Sequence, residues 1–309
     1  MISGPAAIAR RLLPLTLRGY LAQYLPRPPV NFRKRDSSPA AISADVSYAL
    51  QVGRAYLDIL RAEAIDPSGK TILELGPGIN FGSALFLACH GALPIVADRF
   101  LVNWDPDYHP KFYTGLREAL IESGLAPDVT PLETLIRRER YANSEIRCIW
   151  RSAEDLAGIP SESVDIVVSN AVLEHLFDLP RACCELARVS KPLAFGFHQV
   201  DFRDHRDFAR PLEYLLLRDE VFREMFAARH GECGFQWRPW EVGRFFETAG
   251  FEVIRFEPNI TADEDYLREF ELRLRKAASR YRDMPIPELK TLSGCFRLRR
   301  APPLARIGN

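Results

Sequence analysis

The dominant pattern in the chain is a short apolar run cut off by glycine. Ile72, Leu73 and Leu75 read as a buried strand, Gly76, Pro77 and Gly78 end it abruptly, and a helical pattern over residues 83–89 follows Gly82. A strand, a tight turn and a helix make half of a nucleotide-binding unit. Comparable apolar runs at 93–97, 145–150, 166–168, 193–197, 251–256 and 295–298 are each read as a strand. Helical spacing covers 43–65, 111–123, 131–141, 179–189, 240–249 and 262–282. Strands alternating with helices in this way specify an α/β chain, with a doubly wound, mainly parallel sheet and helices on both faces.

The glycine spacing separates two kinds of ligand. A dinucleotide fingerprint is G-x-G-x-x-G, whereas here three residues separate Gly78 from Gly82, and Glu74 stands two positions ahead of Gly76. A carboxylate at that point repels a pyrophosphate and suits a ligand carrying positive charge. S-adenosylmethionine, with a sulfonium, an ammonium and no phosphate, is such a ligand. The apolar-Glu-apolar-Gly-x-Gly pattern of residues 73–78 resembles motif I of the class I S-adenosylmethionine-dependent methyltransferases.

The resemblance continues down the chain. Asp98 ends a strand about 20 residues beyond the glycine turn, where an acid accepts hydrogen bonds from ribose hydroxyls or caps a turn, and Arg99 follows it. Ser152 and Ala153 stand where the family commonly has an Asp-Ala pair against adenine, so Ser152 or Glu154 takes that contact. Residues 163–176, SVDIVVSNAVLEHL, resemble motif IV, which implies that Asn170 and Ala171 line the methionine part of the cofactor. The cofactor set implied by the resemblance is Glu74, Gly76, Gly78, Asn80, Asp98, Arg99, Ser152, Ala153, Asn170 and Ala171. The resemblance, over about residues 43–300, also implies a Rossmann-like sheet of seven strands. Its last pair forms an antiparallel hairpin at one edge, and the cofactor lies over the carboxyl ends of strands one, two and four. The chain departs from the family at Asn80, where many members have a third glycine, at Ser152, and after Lys191-Pro192, where a Gly-Gly pair is missing.

Three histidines are candidate bases. The strand at 193–197 delivers His198 into a polar cluster with Gln199, Asp201, Arg203, Asp204 and His205, beyond the carboxyl end of a central strand. An imidazole there removes a proton from an acceptor hydroxyl or amine, although capping and ion pairing account for the cluster equally well. His175, in a helix expected after motif IV, faces the site or ties that helix to a neighbouring loop.

Composition narrows the remaining options. With 309 residues, 47% hydrophobic, and 41 basic against 41 acidic side chains, the chain can bury one large core, and its zero net charge argues against a nucleic-acid binder. Its six cysteines form no C-x-x-C pair, which suits buried thiols of a reducing, cytoplasmic compartment and gives no reason to expect a metal. Residues 1–42 read as a basic amphipathic segment and proline-rich linker ahead of a methyltransferase domain at 43–309, with insertions at about 100–144 and 199–240. Residues 1–35 pack on that domain, lie on an anionic membrane surface, or are a cleaved presequence. The aromatic stretch 208–240 sits where the family inserts its substrate lid, and suits a small-molecule, glycan or lipid acceptor. Two other readings stay open: a non-catalytic scaffold of the same fold, and a nicotinamide-dependent oxidoreductase.

Overall fold

The computed structural model describes residues 35–141 and 146–302. Most of the basic N-terminal segment lies outside them. Helix α1 (Pro39–Ala62) begins ahead of its expected position at 43 because its start signal precedes its apolar periodicity. The Ser38 hydroxyl accepts the Ala41 N–H at 3.4 Å, and Pro39 opens the first turn. Then follow β1 (Thr71–Leu75), α2 (Gly82–Ala88), β2 (Leu93–Ala97), α3 (His109–Ser123), α4 (Thr130–Arg138), β3 (Arg147–Ile149) and β4 (Val164–Asn170). The second half contains α5 (Leu179–Val189), β5 (Ser190–Asp201), α6 (Asp219–Ala228), α7 (Pro239–Thr248), β6 (Phe251–Thr261), α8 (Glu264–Leu274), α9 (Ile286–Leu289) and β7 (Thr291–Arg300).

The strands form one sheet in the order β3-β2-β1-β4-β5-β7-β6. Strands β1 to β5 run parallel to their neighbours, and β7 runs antiparallel to both β5 and β6. The edge pair is the one the resemblance implies, with α8 and α9 in its connection. Each face of the sheet carries its own core. Ile72, Val96 and Val168 pack with α1, α2 and α3 on one side, and Leu73, Leu75 and Val167 pack with α5, α7 and α8 on the other. Alternation along β1 therefore sets Glu74 on the face with Ile72, against α1 and α2. At the opposite end of the sheet Asp165 accepts the Lys191 ammonium at 2.8 Å and the Thr71 N–H at 3.0 Å, which ties β4 to β5 and β1.

Two differences from the expected pattern bear on the site. Strand β5 continues to Asp201 because it stays paired with β7 from Phe195 to Asp201, so His198 lies inside a strand. The expected helix after β4 is a single 3-10 turn, Leu173–His175, and then an extended Leu176. Where the family has glycine after Lys191-Pro192, Leu193 takes φ +65° with its side chain in solvent.

Candidate active site

Strand β1 has β2 on one side and β4 on the other, so the connections leaving these strands diverge and a crevice opens at their carboxyl ends. A cavity of about 470 Å³ occupies it, walled by Gly76 and Gly78 after β1, Asp98 and Arg99 after β2, Ser152 and Ala153 after β3, and Ala171 and His175 after β4. These eight sequence candidates come from four connections and meet in one place.

The glycine turn is shaped by sterics. Gly76 has φ +58°, and a Cβ on it would stand 2.4 Å from Val172 Cγ2, whereas Gly78, at φ +72°, has nothing within 4 Å of that position. Gly76 thus lets β1 meet the connection after β4, and Gly78 leaves the cavity open. Gly76→Ala should combine backbone strain with displacement of Val172, weakening S-adenosylmethionine binding by about tenfold or more, roughly 1.4 kcal/mol, in a calorimetric titration.

Glu74 lies behind this turn, 3% exposed. The Ser83 hydroxyl donates to its Oε1 at 2.6 Å and the Tyr56 hydroxyl approaches the same oxygen at 3.5 Å. Its Oε2 is buried without a hydrogen-bond partner. Burial pushes the carboxyl up to about 7. A buried carboxylate oxygen without a donor, next to Leu75 and Gly76 of the cavity wall though not itself on it, fits an ammonium-bearing cofactor. Asp98 caps its turn, Oδ1 accepting the Phe100 N–H at 2.7 Å, and also lines the cavity, where burial raises its carboxyl. The Arg99 guanidinium lies over the Phe177 ring at 4.9 Å and donates to the His230 carbonyl at 2.9 Å.

Other candidates are placed elsewhere. Asn80 turns away from the cavity, its Oδ1 accepting the Gly82 N–H at 3.0 Å and its Nδ2 donating to the Tyr108 hydroxyl at 3.1 Å. Asn170 donates to the Tyr48 hydroxyl at 2.8 Å and is not on the cavity wall. Glu154 is not on the cavity wall: its Oε1 accepts the Phe177 and Asp178 N–H groups at 2.6 and 2.9 Å, and its Oε2 accepts the Ser152 hydroxyl at 2.5 Å. Within residues 100–141, Phe100 lines the cavity, while His109 and Tyr113 hold the glycine turn. His109, buried and held neutral at about 4, meets the Ile79 carbonyl at 3.0 Å, and Tyr113 donates to the Asn80 carbonyl at 3.0 Å.

His198 requires a correction as first candidate base. It is 1% exposed, stacks on Phe246 with ring centroids 5.3 Å apart, and pairs Nδ1 with the Ser169 hydroxyl at 2.8 Å. Burial among apolar groups lowers it to about 3. Strand alternation turns it into the core beneath α7, away from the cleft. His198→Ala should cost about 2–4 kcal/mol in chemical denaturation, while turnover per folded molecule is retained.

His175 is the candidate that reaches the cavity. Its Nδ1 meets the Gly231 carbonyl at 2.8 Å, which fixes the proton there and leaves Nε2 as an acceptor. His205 stands behind it, ring centroids 5.1 Å apart. His230 and Glu232 complete the wall and were missed in the sequence. Their only signal is the pair of turn glycines, Gly231 and Gly234, with φ +80° and +74°. This segment is bonded to three neighbours besides Arg99: His175 holds Gly231, the Phe235 N–H donates to the Glu174 carbonyl at 2.8 Å, and the His205 N–H to the Cys233 carbonyl at 3.2 Å.

Residues 116–195 match the family model for a methyltransferase domain. That match lies within a sheet whose strand order is the one implied by the resemblance to the class I S-adenosylmethionine-dependent methyltransferases. No curated protein matches the sequence. Among solved structures, the chain is similar to a protein described as a sarcosine dimethylglycine methyltransferase of Galdieria sulphuraria, at 14% identity and TM-score 0.47, over 82% of this chain and 85% of that one. An S-adenosylmethionine-dependent methyltransferase of Mesorhizobium loti overlaps at 16% identity and TM-score 0.44, over 79% and 96% of the two chains. Phosphoethanolamine N-methyltransferase 2 of Haemonchus contortus overlaps at 14% identity and TM-score 0.44, over 81% and 53%. Overlaps of that extent do not define an acceptor. Among the described residues no helix is long and apolar enough to cross a membrane.

Proposed function

We propose that the protein transfers a methyl group from S-adenosylmethionine to a nucleophilic atom of a small-molecule, glycan or lipid acceptor. The observation that carries this reading is the buried, unpartnered Oε2 of Glu74 behind a glycine turn that opens into the cavity. Glu74 receives the ammonium, Asp98 the ribose hydroxyls, and Ala153 and Ala171 bound the remaining length of the cofactor. The cofactor supplies an electrophilic methyl on a cationic sulfur, so the chain contributes mainly alignment and exclusion of water. His175, with Nδ1 committed to Gly231, presents Nε2 as a hydrogen-bond acceptor to an entering hydroxyl or amine.

Calorimetric titration with S-adenosylmethionine and, separately, with a nicotinamide cofactor tests the first half. Heat with the former and none with the latter is expected, and the reverse overturns the reading. Incubation with methyl-labelled cofactor and fractionated cell extract tests the second half. A labelled product that disappears in Glu74→Gln is expected, whereas cofactor binding with no labelled product in any fraction favours the scaffold reading.

A further inference from the structure

Behind His175 lies a group of side chains that methyl transfer does not use. We propose that Glu174, Asp201 and His205 form a binding site for a divalent transition-metal ion of the zinc type, beside the cofactor cavity. One donor atom from each residue lies within 4.8 Å of the other two. They come from three places that the fold brings together: the 3-10 turn after β4, the last residue of β5, and the loop beyond it.

The donors are held ready. Glu174 is fully buried, yet its Oε2 has no hydrogen-bond partner, while its Oε1 accepts the Asp201 N–H at 3.3 Å. His205 Nε2 lies 3.5 Å from Asp201 Oδ2, which makes Asp201 its polar partner. Buried polar atoms in native folds normally find partners, so the unpartnered Glu174 oxygen, in a residue grouped with the Asp201–His205 pair, points to a ligand. Arg203 grips both oxygens of Asp201, its Nε at 2.9 Å from Oδ1 and its Nη2 at 2.6 Å from Oδ2. This is how outer-shell groups orient a ligating carboxylate, and the guanidinium offsets one of the two carboxylate charges.

The spacing and the donor types select the ion. Tetrahedral coordination with bonds of ~2.0–2.1 Å separates donors by ~3.3 Å, close to the 3.5 Å between Asp201 and His205. An imidazole nitrogen with two carboxylates suits zinc or manganese, whereas magnesium and calcium favour all-oxygen sets. Three protein ligands leave one position open. His175, on the cavity wall, has its ring centroid 5.1 Å from that of His205, so the site lies beside the cavity. The site does not depend on the methyl-transfer reading, because it rests on the donors alone.

The test uses the full chain, stripped with chelator and titrated with Zn²⁺ by calorimetry and with Co²⁺ by visible spectroscopy. One equivalent should bind, with a tetrahedral cobalt spectrum lacking thiolate charge transfer. Glu174→Gln and His205→Asn should each weaken binding by about tenfold or more, and excess Mg²⁺ should not compete. Circular dichroism and the thermal midpoint establish that each variant is folded; if one is not, the other decides. Absence of stoichiometric binding overturns the proposal. So does binding that survives the substitution in a folded variant, or a thiolate signature indicating exposed Cys184 or another cysteine.

Discussion

At pH 8, Glu74→Gln should be more stable than the parent protein by about 3 kcal/mol and should bind S-adenosylmethionine poorly. Glu74 is fully buried, and its carboxyl rises from 4.5 to about 7 in the fold, chiefly by desolvation. Below pH 4.5 both the folded and the unfolded chain hold the proton, and folding bears no charge. Between pH 4.5 and 7 the unfolded chain releases a proton that the native state keeps, so stability falls as pH rises through this window and levels off above it. A difference of roughly 2.5 pH units at 1.36 kcal/mol each gives the figure above. Glutamine stays neutral and keeps an oxygen for the Ser83 hydroxyl, so the variant escapes that fall. Urea denaturation of both proteins at pH 5 and pH 8 should show a small gap at the lower pH and a large one at the higher. A gap independent of pH removes Glu74 as the titrating group. The ionised carboxylate that destabilises the empty protein is the form that meets a cationic cofactor, so parent affinity should rise from pH 6 to 8 while that of the variant stays low.

Arg238→Met should produce the largest loss of stability, about 3–5 kcal/mol. The Arg238 side chain is 0% exposed. Its Nη1 donates to the Phe202 carbonyl at 2.9 Å and the Tyr214 hydroxyl at 3.2 Å, and its Nη2 donates to the Leu289 carbonyl at 2.9 Å and to the Thr291 carbonyl. One guanidinium therefore joins the exit of β5, the stretch before α6, and the start of β7. Methionine matches the volume but removes the guanidinium from the Leu289 and Thr291 carbonyls, while the Phe202 carbonyl keeps the Tyr214 hydroxyl at 2.6 Å. Desolvation of the lost cation works the other way, but hydrogen bonds to charged groups are worth ~1.5–3 kcal/mol each and outweigh it. The midpoint of guanidinium denaturation at constant slope measures the loss; an unchanged midpoint would mean that the carbonyls find water.

The ends of elements and the cavity walls were legible where local chemistry decides them. The run from Ile72 to Gly78 reads correctly because a glycine turn after an apolar strand has few alternatives, and β2 and α5 match their expected limits, 93–97 and 179–189. His198 was misplaced because the end of β5 is set by pairing with β7, nearly a hundred residues later, and alternation then decides which way the ring faces. Glu154 and Asn80 looked available because their partners lie in other connections, at Phe177 and Tyr108. Glu174 is not legible with Asp201 and His205 because it comes from the turn after β4, whereas the other two come from the end of β5 and the loop directly beyond it.

The wall carrying His230 and Glu232 is laced to Arg99, Glu174, His175 and His205 by its own backbone. A segment fastened at four points behaves as a door jamb and does not swing. Traffic into the cleft then has to pass the bare flank at Gly78, and cofactor exchange should leave the 230–235 backbone amides protected from deuterium whether the cleft is full or empty.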